Sequence, residues 1–139
     1  MVTEFPYRPE RAPGGQIIHR PVAKAVLHGL GDRRVTQLLY VDLGADHTVL
    51  PYRLGKYLGL DQAGGDVHEI HGISGAVGVI YVVLEIELAG VRFNTHVAWA
   101  QLEELPPLLG RTDVFDRFEI TFKQSQKIVV FRPIDLRAS

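Results

Sequence analysis

The stretch Tyr40-Val41-Asp42-Leu43-Gly44-Ala45-Asp46-His47-Thr48-Val49-Leu50 decides how this chain is read. An aromatic and β-branched run ends at an acid, a Gly and a small residue, then resumes as an apolar pair. A strand that sets a carboxylate against Gly-Ala is presenting it on a tight turn. Gly takes backbone angles that other residues avoid, and Ala leaves room for a second segment of chain.

Outward from this turn the pattern is mostly β. Upstream, Pro21 to Leu27 reads as a strand, Gly29-Leu30-Gly31-Asp32 supplies turn residues, and Val35 to Val41 is the returning strand. Residues 1 to about 20 carry Pro6, Pro9, Pro13, Gly14 and Gly15, so no regular structure is expected in this arm. Downstream, Leu54 and Leu58 stand at helical spacing, Pro51 suits a first helical turn and Gly59 stops it. Val67 to Ile70 and Leu84 to Leu88 alternate apolar and polar residues, as half-buried strands do. Between them, Gly72, Gly75 and Gly78 predict a mobile hairpin tip. Val91 to Ala98 follows a turn at Ala89-Gly90. After Pro106-Pro107 come Leu108-Leu109-Gly110, a short helix over 113–118 with Asp113 near its cap, and a last hairpin of 120–122 with 128–131. The expected organisation is an arm over 1–20, one domain over 21–133 and a tail over 134–139.

Composition narrows the function classes. A chain of 139 residues suits one domain. Its net charge of −1 and scattered basic residues give no electrostatic case for nucleic acid or an anionic membrane. There is no cysteine, which excludes disulfides, thiolate catalysis and cysteine-ligated zinc. Met1 to Pro6 holds no apolar signal core, and the longest apolar run, Val77 to Leu84, is too short to span a bilayer. A cytoplasmic location is the expectation. His68 and His71, three apart on a strand, face opposite sides and do not converge on a metal. Ser74 has no His partner for nucleophilic catalysis. Trp99 reads as a core residue.

Taken with its surroundings, Asp42-Leu43-Gly44-Ala45-Asp46 resembles the active-site loop of the retropepsin-like aspartic proteases, whose signature is Asp-Thr/Ser-Gly-Ala-Asp/Ser. Leu43 departs from it, standing where that family keeps a hydroxyl. A second mark is Leu108-Leu109-Gly110-Arg111, similar to the apolar-apolar-Gly segment that threads beside that loop before a short helix. A third is the Gly-rich segment 72–78, at the position of the family's flap. The shared order of loop, helix, flap, strands, Leu-Leu-Gly and helix covers roughly residues 21 to 132.

The resemblance implies a mainly β, closed-barrel acid-protease fold with one or two short helices, working as a homodimer. Aspartic peptidases need two carboxylates sharing one proton, and this chain carries one such motif. Asp42 from each of two subunits would meet at a two-fold axis. By the same resemblance Gly44, Ala45 and Asp46 contact an extended peptide, Val49 and Leu108 line its apolar pockets, and Ile73, Ser74, Gly75 and Ala76 cover it. Arg111 would pair with Asp46, and Leu43 would support the loop at the axis. No cofactor or metal is called for, and the partners are a second copy and a peptide or protein substrate. Plainer readings stand beside these: Asp42 as a turn residue, 72–78 as an ordinary hairpin, Arg111 as a solvated residue, Val49 and Leu108 as core. Two functions follow, an active homodimeric aspartic endopeptidase, or a weak or inactive relative that binds peptides or dimerises.

Overall fold

The structure is a computed structural model, and it describes residues 1–61, 65–72 and 75–134. The described residues form twelve strands: β1 (Thr3–Pro6), β2 (Arg8–Arg11), β3 (Ile17–Arg20), β4 (Val22–His28), β5 (Arg34–Val41), β6 (Thr48–Leu50), β7 (His68–Gly72), β8 (Gly75–Leu88), β9 (Val91–Ala100), β10 (Leu108–Leu109), β11 (Phe118–Lys123) and β12 (Ile128–Pro133). An α-helix, α1 (Tyr52–Tyr57), follows β6.

Six strands close a barrel in the order β4-β5-β10-β6-β9-β8, with β8 pairing back onto β4. Closure removes the exposed strand edges that an open sheet leaves. The long β8 does two jobs. Its last residues, Glu85 to Leu88, pair with β4, and its first residues pair with β7 as a hairpin projecting beyond the barrel. Alternation along β8 sends Ile80, Leu84, Ile86 and Leu88 into the core, where they meet Leu27, Leu39, Leu50, Val97, Trp99 and Leu109. Trp99 is fully buried, as expected. Its ring stacks on Tyr52 of α1 at 5.6 Å, and its Nε1 donates to the Tyr52 carbonyl at 3.1 Å. A Cβ at Gly55 would fall on the Trp99 indole, so α1 can lie this close to β9 only with Gly at that position.

Two expectations need correction. Residues 1–20 are not irregular. β1 pairs antiparallel with β12, which pairs with β11, and β2 forms a hairpin with β3 around the Pro13-Gly14-Gly15 turn. The prolines punctuate short strands rather than abolish them. Pro6 ends β1, and Pro9 sits in a two-stranded hairpin, where an edge tolerates its missing N–H. The short helix expected over 113–118 is shorter and of the 3-10 kind. Asp113 adopts a left-handed backbone, φ 66°, and only a 3-10 turn over Phe115–Arg117 follows. The Asp113 carboxylate does not cap it. It accepts from the His96 backbone N–H at 2.8 Å and contacts His96 Nδ1 at 2.7 Å. Among the described residues no helix is long and apolar enough to cross a membrane.

Candidate active site

The Asp42 loop joins β5 to β6, and these two strands are not neighbours. β10 lies between them, parallel to β5 with Leu108 opposite Tyr40, and antiparallel to β6 with Leu108 opposite Val49. The inserted segment satisfies the backbone of the loop it threads. Tyr40 N–H donates to the Pro107 carbonyl at 3.0 Å and Asp42 N–H to the Leu109 carbonyl at 3.1 Å. In return, Arg111 N–H donates to the Ala45 carbonyl at 3.0 Å and Thr112 N–H to the Asp46 carbonyl at 2.8 Å. The fully buried Thr48 hydroxyl accepts from Gly110 N–H at 3.1 Å. A Cβ at Gly110 would collide with the His47 carbonyl and the Thr48 nitrogen, so Gly is required where the two segments pass.

Inside this clamp the Asp42 carboxylate accepts from Gly44 N–H at 2.8 Å, while Ala45 N–H donates to the Asp42 carbonyl at 3.2 Å. The turn is held by its own residue, as Asp side chains do. Asp42 is half-buried, Ala45 half-buried, and Gly44 and Asp46 exposed. Arg111 and Asp46 form an ion pair. Both are largely exposed, so the pair orients the loop more than it stabilises the fold. Leu43 stands at the tip, 58% exposed, an apolar side chain with no cover in a single chain.

Val49 and Leu108 lie side by side in an apolar cluster separate from the barrel core. Val49, Val79, Ala98 and Ala100 are its buried part, with Leu108, Ile70, Val77 and Leu105 packed against it. Two of these, Ile70 and Val77, face each other across the β7–β8 hairpin. The hairpin is thus brought onto the same apolar patch as Val49 and Leu108. Gly75 and Ala76, both exposed, open β8 opposite Gly72 and His71. Ile73 and Ser74 lie outside the described residues.

A cleft of about 540 Å³ runs along this surface, lined by Asp42, Val41, Tyr40, Leu108, Pro106, Pro21, Glu10 and Arg20. Tyr40 and Asp42 are two apart and share one face of the chain. The Tyr40 hydroxyl donates to the Glu10 carboxylate, and Arg20 Nε donates to the same carboxylate at 3.1 Å. Burial, then the Glu10 hydrogen bond and charge, push the Tyr40 hydroxyl above its ordinary range. The sequence reading missed Tyr40, Thr48 and Glu10. The i−2 spacing from Asp42 was a usable signal for Tyr40. Glu10 has none, because only the folded chain brings it there.

A larger cleft of about 660 Å³, where the β4–β5 turn meets β8 and β9, shares no residue with the first. Among the described residues no cluster of His, Asp and Glu is placed to hold a metal. His68 lies against Tyr81, with 5.5 Å between the rings, while His71 faces Glu69 at 3.8 Å.

A barrel whose acid-bearing loop is threaded by an apolar-apolar-Gly strand is the retropepsin-like aspartic protease fold. The chain is similar to the crystal structure of a retropepsin-like aspartic protease from Rickettsia conorii, with a TM-score of 0.66 and 17% identity over 94% of this chain and 99% of that one. Neither a protein-family model nor a curated protein matches the sequence.

Proposed function

We propose that this chain is an aspartic endopeptidase whose active site is completed by a second copy of itself. The observation that supports this most is the presentation of Asp42. One half-buried carboxylate sits at the end of a cleft, on a loop clamped from below by β10 and its flanking backbone. A single carboxylate can activate water but cannot also donate a proton to the carbonyl oxygen. Two Asp42 side chains across a two-fold axis supply both roles.

In that pair, like charges that close cannot both ionise, so one proton is shared. The ionised Asp42 takes a proton from water, whose oxygen attacks the scissile carbonyl carbon. The protonated Asp42 gives its proton to the carbonyl oxygen. Collapse of the tetrahedral intermediate breaks the C–N bond: one of its two hydroxyls returns a proton to the Asp42 that had given one, while the departing nitrogen takes up a proton from the carboxyl that had accepted one. An extended peptide would lie over Val49 and Leu108 under the β7–β8 hairpin, with Gly44, Ala45 and Asp46 along its backbone and Ile73, Ser74, Gly75 and Ala76 above it. Leu43 and Arg111 would support the loop.

Leu43 also favours a second reading, a peptide-binding or dimerisation module of the same fold with weak or no catalysis. The family's hydroxyl at this position can hydrogen-bond across the axis, and leucine has neither donor nor acceptor. Cleavage of an unfolded protein at mildly acidic pH, with and without pepstatin, separates the two. Pepstatin-sensitive cleavage that is absent from Asp42→Asn is the expected result. No cleavage by a purified, folded dimer would leave the binding module as the better reading.

A further inference from the structure

The β2–β3 hairpin docks beside the Asp42 cleft in an unusual way. All four residues of β3 are exposed, and in β2 only Glu10 is partly covered. An isolated two-stranded hairpin is marginal in water, and the ordinary way to seat one is an apolar side chain in a pocket. Here the seated side chain is a carboxylate, three-quarters covered, and Ile17 and Ile18 point into solvent. Covering a charge costs more than covering a Leu unless its bonds are replaced. Glu10 has two such bonds, from Tyr40 and from Arg20, with Arg8 Nε further off at 3.9 Å. An ionised carboxylate offers about four acceptor sites, so Glu10, which lines the cleft, has acceptor capacity left. Tyr40, which holds Glu10, stands two residues before Asp42, one same-face step of about 6.6 Å along a strand.

We propose that Glu10 is a specificity-determining residue that accepts a cationic side chain of a bound peptide. The cleft lining carries two carboxylates, Glu10 and Asp42, against one guanidinium, Arg20. The walls beside them, Leu108, Pro106 and the Tyr40 ring, suit the apolar stem of a lysine or arginine. The bonds from Tyr40 and Arg20 fix the carboxylate before the peptide arrives, which lowers the ordering cost of binding. This role rests on the reading of the Asp42 cleft as a peptide site, but not on catalysis.

The test is peptide binding to full-length Asp42→Asn by fluorescence polarisation. The probes are labelled extended octapeptides in which each position in turn is lysine, norleucine or glutamate. At one position lysine should bind on the order of tenfold tighter than norleucine, as expected for a charge-assisted hydrogen bond. Adding Glu10→Gln, which keeps an acceptor for Tyr40 but removes the charge, should reduce that preference to below about threefold. A thermal melt confirms that the double variant is folded. A lysine preference unchanged by Glu10→Gln, no preference at any position, or no binding overturns the proposal. Glu10-dependent binding by a wild-type chain that cleaves nothing supports it while removing the peptidase reading.

Discussion

Gly110 sets how closely the β10 segment can pass the Asp42 loop. Its missing Cβ makes room for the His47 carbonyl and the Thr48 nitrogen, both backbone atoms that cannot rotate away. Gly110→Ala should therefore cost about 1–3 kcal/mol by overpacking and shift Asp42. A displacement of about 1 Å is worth on the order of 100-fold in rate. Denaturant unfolding and initial rates check both, and a variant with parental stability would contradict the close approach. Leu43 acts at the opposite end of the loop. With 58% exposure in one chain, two Leu43 side chains packed across an axis would gain roughly 1–3 kcal/mol. Leu43→Thr exchanges that contact for hydroxyls, each of which loses about 1–3 kcal/mol if buried without a partner. The expected outcome is faster cleavage by a dimer that remains folded, read from kcat beside the melting temperature. A stable variant that cleaves no faster would favour the binding module.

At the scale of elements, β4, β5, β9 and the β11–β12 hairpin were legible because alternation and turn residues are local signals. β4 and β5 fall within a residue of their expected ends. β1, β2 and β3 were not legible. Their strand state depends on β12 and on the Glu10 contacts, which lie far away in sequence, whereas the prolines are local. The Asp113 segment failed for a similar reason. An Asp ahead of Val-Phe suits an N-cap, but His96 on β9 captures the carboxylate. Within the site, the motif pointed to Asp42 and its loop; Tyr40 was within reach of the same spacing, while Thr48 and Glu10 emerged only with the fold. The His96 contact has a pH consequence. Hydrogen bonds from the His96 ring and backbone hold the Asp113 carboxyl below the usual carboxylate range. A carboxyl lowered on folding stabilises above its unfolded value, about 3.9, and loses that contribution as pH falls through its folded value. Thermal melts below about pH 4 should therefore fall more steeply for the wild type than for Asp113→Asn. Parallel curves would contradict the linkage.

For the whole molecule, the closed barrel leaves the Asp42 loop and the β7–β8 hairpin together at one apolar patch. Among the described residues there is one such loop, so the proposed catalysis needs two copies. The most direct test mixes wild type with Asp42→Asn, lets the subunits exchange, and follows peptide cleavage as the ratio changes. If both carboxylates of a site are needed, activity scales with the square of the wild-type fraction. An equal mixture at fixed total protein should then retain about a quarter of the wild-type activity. Retention of about half, the result for sites that work with one Asp42 each, would contradict the paired-carboxylate site.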